Sequence, residues 1–244
     1  MIGREPAAIR YHEDPDLFRE AVNFTAAETA FAPRLIEKDY FCSLLLDYLA
    51  ARDGSLTFKG GTCLTKVYAE FYRLSEDLDF AISTEADTTR AQRSRLASGV
   101  KGAVAALPRS LPGFRVVEPL EGASNSTQYN GIVAYASLLS QQEETIQIEV
   151  GLREPLLLPV VEASAGTILL DPVSRQPMVV VRLVRTKLAV PGNEPVNVTE
   201  SRLVALRQQL DPQLKPVLRE KDFREFDVER AFGVVAEMAT RLAA

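Results

Sequence analysis

Histidine is almost missing from this chain: His12 is the only one in 244 residues. Ser-His-Asp catalysis, Cys-His catalysis and a His-ligated zinc site would each have to rest on that one N-terminal residue. Chain termini are where order is least expected, so His12 reads as an exposed tail residue and those chemistries are set aside. Cysteine is nearly as scarce. Cys42 and Cys63 fall in apolar helical contexts with no metal-ligand spacing, and read as reduced core thiols. No apolar stretch approaches the roughly 18 residues that span a bilayer. No apolar run follows the charged opening MIGREPAAIRYHEDPD, so a cytoplasmic protein with no membrane partner is expected. An excess of positive charge is lacking too. The formal net charge of −5 argues against a general nucleic-acid binder while leaving room for a local basic patch. Catalysis by this chain must rest on carboxylates, lysines, hydroxyls and backbone.

What is present is ordinary globular composition, 46% hydrophobic and 25% charged. The segment from Asp16 to Ala50 is predicted to be helical, with Leu35, Ile36, Tyr40, Leu44, Leu45 and Leu49 at helical spacing. SLTF forms a short strand after Asp53-Gly54, and Thr62 is expected to cap a helix carrying Leu64, Val67, Tyr68, Phe71 and Tyr72. DLDFAI reads as the next strand, followed by one helix over about 88–107 that ends at Pro108. Further strands are predicted near 114–118, 132–139 and 145–150. Helices and strands mix without strict βαβ alternation, which predicts an α/β (α+β) fold with a mixed sheet and flanking helices. Six prolines between 155 and 195 break the following stretch into short pieces, including MVVVRLV, and helical patterning returns from Thr199. The expected division is a catalytic lobe over 1–160 and a mainly helical lobe over 161–244 that contributes to the cleft.

The stretch KGGTCLTKVYAEFYRLSEDLDF, Lys59 to Phe80, carries the chemistry. Alternate residues of a strand share a face, so Asp77 and Asp79 project together while Leu78 and Phe80 face the core. Two neighbouring carboxylates repel and call for a cation, and an all-oxygen donor set suits Mg²⁺ or Mn²⁺ better than zinc. Gly60-Gly61 lets the chain turn tightly and brings backbone close to a ligand. Thr62 and the first turn of the following helix offer N–H groups to phosphate. A phosphate cradle, one helix and then a D-x-D strand is an arrangement for holding a metal-bound nucleoside triphosphate. It is neither a Walker A loop nor a G-x-G-x-x-G fingerprint.

This pattern resembles the nucleotidyltransferase superfamily signature. More narrowly, EKDY at 37–40, FKGGTCLTK at 58–66 and RLSEDLDF at 73–80 are similar to the N-terminal motifs of the AbiEii/AbiGii toxin nucleotidyltransferases of type IV toxin–antitoxin systems. The resemblance implies a nucleotidyltransferase-like fold, an NTP substrate, a cognate antitoxin and, as acceptor, the 3′ end of tRNA. It implies nucleotide contacts from Lys59, Gly60, Gly61, Thr62, Lys66 and Ser75, and metal ligation by Asp77 and Asp79. Glu149 in TIQIEV matches the superfamily's third carboxylate, as ligand or base, and shares a strand face with Gln147. Lys187, after the valine-rich strand, and Asp222 in LREKDFREFD match the later catalytic motifs, with Asp211 as the other aspartate that fits. Thr186 stands where the family usually has glutamate. The same chemistry could serve a protein or small-molecule acceptor, and a fold of this kind could also act as a non-catalytic nucleotide-binding module.

Overall fold

The computed structural model describes residues 11–68, 71, 73–85, 87–152, 160–178, 180–186, 227, 230 and 231. The side chains of Tyr68 and of residues 180–186 are not among the described features. The chain divides into two compact units, Met1–Lys187 and Leu188–Ala244. In the second, the described residues show Asp227 capping a helical turn, its carboxylate accepting from the Arg230 N–H at 2.9 Å.

The first unit is built on a mixed seven-stranded sheet of order β3-β4-β5-β2-β1-β7-β6. The strands are β1 (Leu56–Lys59), β2 (Leu78–Ile82), β3 (Phe114–Ala123), β4 (Gln128–Ala136), β5 (Glu143–Gly151), β6 (Val161–Gly166) and β7 (Val180–Thr186). Residues 161–186 thus supply two strands of the first unit's sheet, the second of them the expected valine-rich strand, so the sheet extends past the boundary expected at 160. Strands β3, β4 and β5 form an antiparallel meander, β2 runs parallel to β5 and antiparallel to β1, and β7 runs parallel to β1.

Helix α1 (Pro15–Thr29) starts where Asp14 accepts from the Asp16 and Leu17 N–H groups, with Pro15 preset in the first turn. It ends at Ala30 in the left-handed region, φ 60°. Pro33 opens α2 (Pro33–Arg52), which is buried on nearly every side. The predicted helix over 88–107 is two helices, α4 (Arg90–Leu96) and α5 (Ser98–Ser110), joined at Ala97. A capping box between Thr89 and Gln92 begins the first. Pro108 lies inside the last turn of α5 and does not stop it, although its missing N–H costs the helix one ladder bond. Among the described residues no helix is long and apolar enough to cross a membrane.

Helix α2 owes its placement to EKDY. Consecutive helical residues turn by about 100°, so these four point in four directions. Glu37 accepts from the Ser137 hydroxyl and the Leu138 N–H, both at 2.7 Å, after β4. Lys38 donates to Glu76 at 2.6 Å. Asp39 accepts from Lys66, from the Thr167 hydroxyl at 2.7 Å and from the Ile168 N–H at 2.9 Å. The Tyr40 hydroxyl meets His12 Nδ1 at 2.9 Å. His12 is therefore not the exposed tail residue predicted: its ring packs on Tyr40 and Phe41 and it is half-buried. Cys42 and Cys63 are buried free thiols, as expected, and burial pushes the Cys42 thiol up to about 12.

Candidate active site

Strand pairing builds the site. Lys59 on β1 stands opposite Asp79 on β2, Asp79 opposite Glu149 on β5, and Glu149 opposite Asn130 on β4. Directly opposed residues share a sheet face, so these four form one polar row across four strands. The neighbouring row is Phe58, Phe80, Val150 and Tyr129, all buried. The alternation sets Asp77 and Asp79 on one side and Leu78 and Phe80 in the core, and likewise sets Gln147 and Glu149 apart from Ile146, Ile148 and Val150. Asn130 was not predicted. Asn before Gly131 looks like a turn in the sequence, and only the β4–β5 register places it beside Glu149.

Partial burial is the main cause that raises the Asp79 carboxyl above its usual value; Lys59 opposes the shift, and Glu149 and Asp77 add to it. Asp77 is also raised, first by burial, against the pull of Lys38 and a hydrogen bond from the Gln147 N–H. The row is thus a concentration of negative charge that its protein neighbours leave under-compensated.

The glycine turn closes on this row. Helix α3 (Gly60–Cys63) is capped at Lys59, three residues before the predicted cap Thr62, and passes into a π turn over Leu64–Tyr68. Gly60 has φ +77°, a conformation suited to glycine, and a methyl there would overlap the Asp79 carboxylate. At Gly61 a methyl would overlap the Arg73 guanidinium, with Ser75 Oγ 3.7 Å away. Thr62 does not cap the helix. It is buried in the first turn, where its hydroxyl donates to the Asp77 carbonyl at 2.5 Å, so only its backbone N–H remains to offer a phosphate.

Lys66 is corrected from a nucleotide contact to a structural cation. Its wholly buried ammonium donates to Asp39 Oδ1 at 2.5 Å, Ser43 Oγ at 2.8 Å and the Gly166 carbonyl at 3.3 Å. Lys66 lies in the π turn, and its ammonium is turned to α2 instead of to a ligand. Lys59, Gly60, Gly61, Ser75, Asp77, Asp79 and Glu149 are brought together; Lys187, Asp222 and Asp211 lie outside the described residues.

Carboxylates on the interior strands β2 and β5, beside a glycine turn in a mixed α/β fold, suit nucleotidyl transfer, and the protein is a nucleotidyltransferase. The family model described as nucleotidyl transferase AbiEii toxin, type IV toxin–antitoxin system, matches residues 43–186, and the chain belongs to that family. Two solved structures are similar in outline. One, JHP933 from Helicobacter pylori, is 17% identical with a TM-score of 0.43, the match covering 86% of this chain and 92% of that one. The other, described as a candidate nucleotidyltransferase from H. pylori, is 16% identical with a TM-score of 0.36, covering 91% and 93%. No curated protein matches the sequence.

Proposed function

We propose that this nucleotidyltransferase moves a nucleoside monophosphate from an NTP to the 3′ end of tRNA and releases pyrophosphate, as the toxin of a toxin–antitoxin pair. The observation that carries the reading is the single row joining Asp79 to Glu149, closed at one end by Gly60. Among the described residues no three His, Cys, Asp or Glu side chains converge as a metal cluster. Mg²⁺ is commonly held by one or two carboxylates plus substrate phosphates, so the donors still fit Mg²⁺ or Mn²⁺. Asp77 and Asp79 would hold the ion. When bound, it would neutralise charge on the triphosphate and polarise the reacting phosphorus.

The chain's own residues do the rest. The Gly60 and Gly61 N–H groups and Ser75 orient phosphate oxygens, and Glu149 accepts the proton of the attacking acceptor hydroxyl. Lys187 offsets charge that develops on the departing pyrophosphate, and Asp222 or Asp211 serves as the later motif's carboxylate. Positioning and electrostatics supply most of the rate. The tRNA acceptor rests on the family resemblance. Transfer assays with labelled NTPs and tRNA, protein and small-molecule acceptors test it. Label in tRNA alone supports the proposal, label in protein or a small molecule overturns the acceptor, and nucleotide binding without transfer anywhere overturns catalysis.

Lys187→Ala should lower turnover by about 10²–10³-fold, the scale of losing one preorganised charge-stabilising donor. Lys187→Arg should recover only part, since a planar fork differs in reach and geometry from a compact ammonium. A surface lysine would shift stability by less than about 0.5 kcal/mol and leave turnover alone. Steady-state rates of the three proteins decide between these, and near-normal turnover in Lys187→Ala removes the role.

A further inference from the structure

We propose that Arg73 binds the terminal phosphates of the NTP, and that Gly61 is a glycine because it must leave room for the Arg73 guanidinium. The inference rests on the nucleotidyltransferase reading of the same site and adds to it a residue that selects a polyphosphate substrate. From Arg73 to Asp79 the chain alternates. Leu74 and Leu78 are in the core, and Glu76 is tied to α2 by Lys38 at 2.6 Å and Arg34 at 3.2 Å. The odd-numbered residues turn to the glycine turn instead. Arg73 and Ser75 stand at Gly61, the Asp77 carbonyl accepts from Thr62, and the Asp79 carboxylate stands at Gly60.

Two bare α-carbons in succession are therefore covered by charges of opposite sign. The Arg73 guanidinium carbon is 3.2 Å from where a Gly61 Cβ would stand. Gly60 and Gly61 are successive residues with α-carbons about 3.8 Å apart, so the guanidinium and the Asp79 carboxylate cover neighbouring steps of one turn. A polyphosphate anchored at Asp79 would run its next phosphates onto Arg73. A guanidinium suits that task, because its planar donors pair with two phosphate oxygens at once and its charge does not titrate. The buried Leu74 that follows fixes the chain next to Arg73.

The test is titration calorimetry with Mg²⁺, using a non-hydrolysable NTP, inorganic tripolyphosphate and the corresponding NMP. The proteins are the parent, Arg73→Gln, Arg73→Lys, Gly61→Ala and the double variant Gly61→Ala/Arg73→Gln. Arg73→Gln should weaken NTP and tripolyphosphate about 10–100-fold, the range for hydrogen bonds to charged groups, and leave NMP affinity unchanged. Arg73→Lys should restore part of the loss. Gly61→Ala should match Arg73→Gln, because the far end of a flexible side chain yields to the methyl, and the double variant should be no worse than either single one. Equal tripolyphosphate affinity in a folded Arg73→Gln protein overturns the role of Arg73 while leaving the reaction class intact. Additive losses overturn the link to Gly61. A parent that binds neither NTP nor tripolyphosphate overturns both this inference and the reading beneath it.

Discussion

Asp79→Asn should reduce nucleotide transfer by more than about 10³-fold while leaving the protein at least as stable as its parent at neutral pH. The carboxylate is the centre of the polar row, with Lys59 on one side and Glu149 on the other, and the asparagine keeps its shape. Burial, together with Glu149 and Asp77, raises its pKa above 3.8 in the folded protein. Between 3.8 and that raised value the native state binds more protons than the unfolded chain, so unfolding free energy falls as pH rises. The penalty is complete once the folded group has ionised and absent below 3.8. Asn removes it, so the variant's advantage should be visible at pH 7 and shrink as pH is lowered toward 3.8. Mg²⁺ should raise the parent's denaturation midpoint more than the variant's, because the variant keeps only Asp77 of the two aspartates proposed to hold the ion. Parental transfer rates in Asp79→Asn, or a variant that is less stable at pH 7, would each defeat this account.

Asp39→Ala should strongly destabilise the first unit. The side chains of Asp39 and Lys66 are 3% and 0% exposed, and the aspartate also serves Thr167 and Ile168. Removing it strands an ammonium, a hydroxyl and an N–H together. Breaking a buried pair from one side costs about 3–5 kcal/mol. At about 2–4 °C per kcal/mol for a unit of this size, the midpoint should fall by about 6–20 °C. Lys66→Met alone should be costly for the mirror reason. The double variant Asp39→Leu/Lys66→Met should recover part of the loss, because no charge is then left unpaired. Thermal unfolding of the four proteins measures it, and an Asp39→Ala midpoint within a degree of the parent's would contradict the structural role of the pair.

How far the chain could be read depended on whether a property was local. Alternation within five or six residues set Asp77 and Asp79 opposite Leu78 and Phe80, and Glu149 opposite Ile148 and Val150, and this was visible directly. The helices at 15–52 were visible for the same reason, since their apolar spacing repeats every turn and proline marks both starts. Asn130 was not visible, because its place beside Glu149 is a matter of register between two strands. Lys66 misled because a resemblance in sequence carries no burial, and the partners that enclose it, Asp39 and Ser43, come from α2. His12 misled because its partners, Tyr40 and Phe41, come from another element. The valine run of β7 was legible as a strand, whereas β6, VEASAG, has little apolar pattern of its own and is defined by its pairing with β7.

The parallel pairing of β2 with β5 also orders events in time. A parallel neighbour cannot be reached by a hairpin, so after Ile82 the chain builds α4, α5 and the β3–β4 hairpin before β5 can return to β2. Closing so long a loop is paid in chain entropy before its contacts give anything back, and pairings of this separation are slow to form. Asp79 therefore exists without Glu149 in every nascent chain that has not yet reached β5. The machinery is assembled by the last strand to dock in its half of the sheet, and a chain caught short of that step carries half a site.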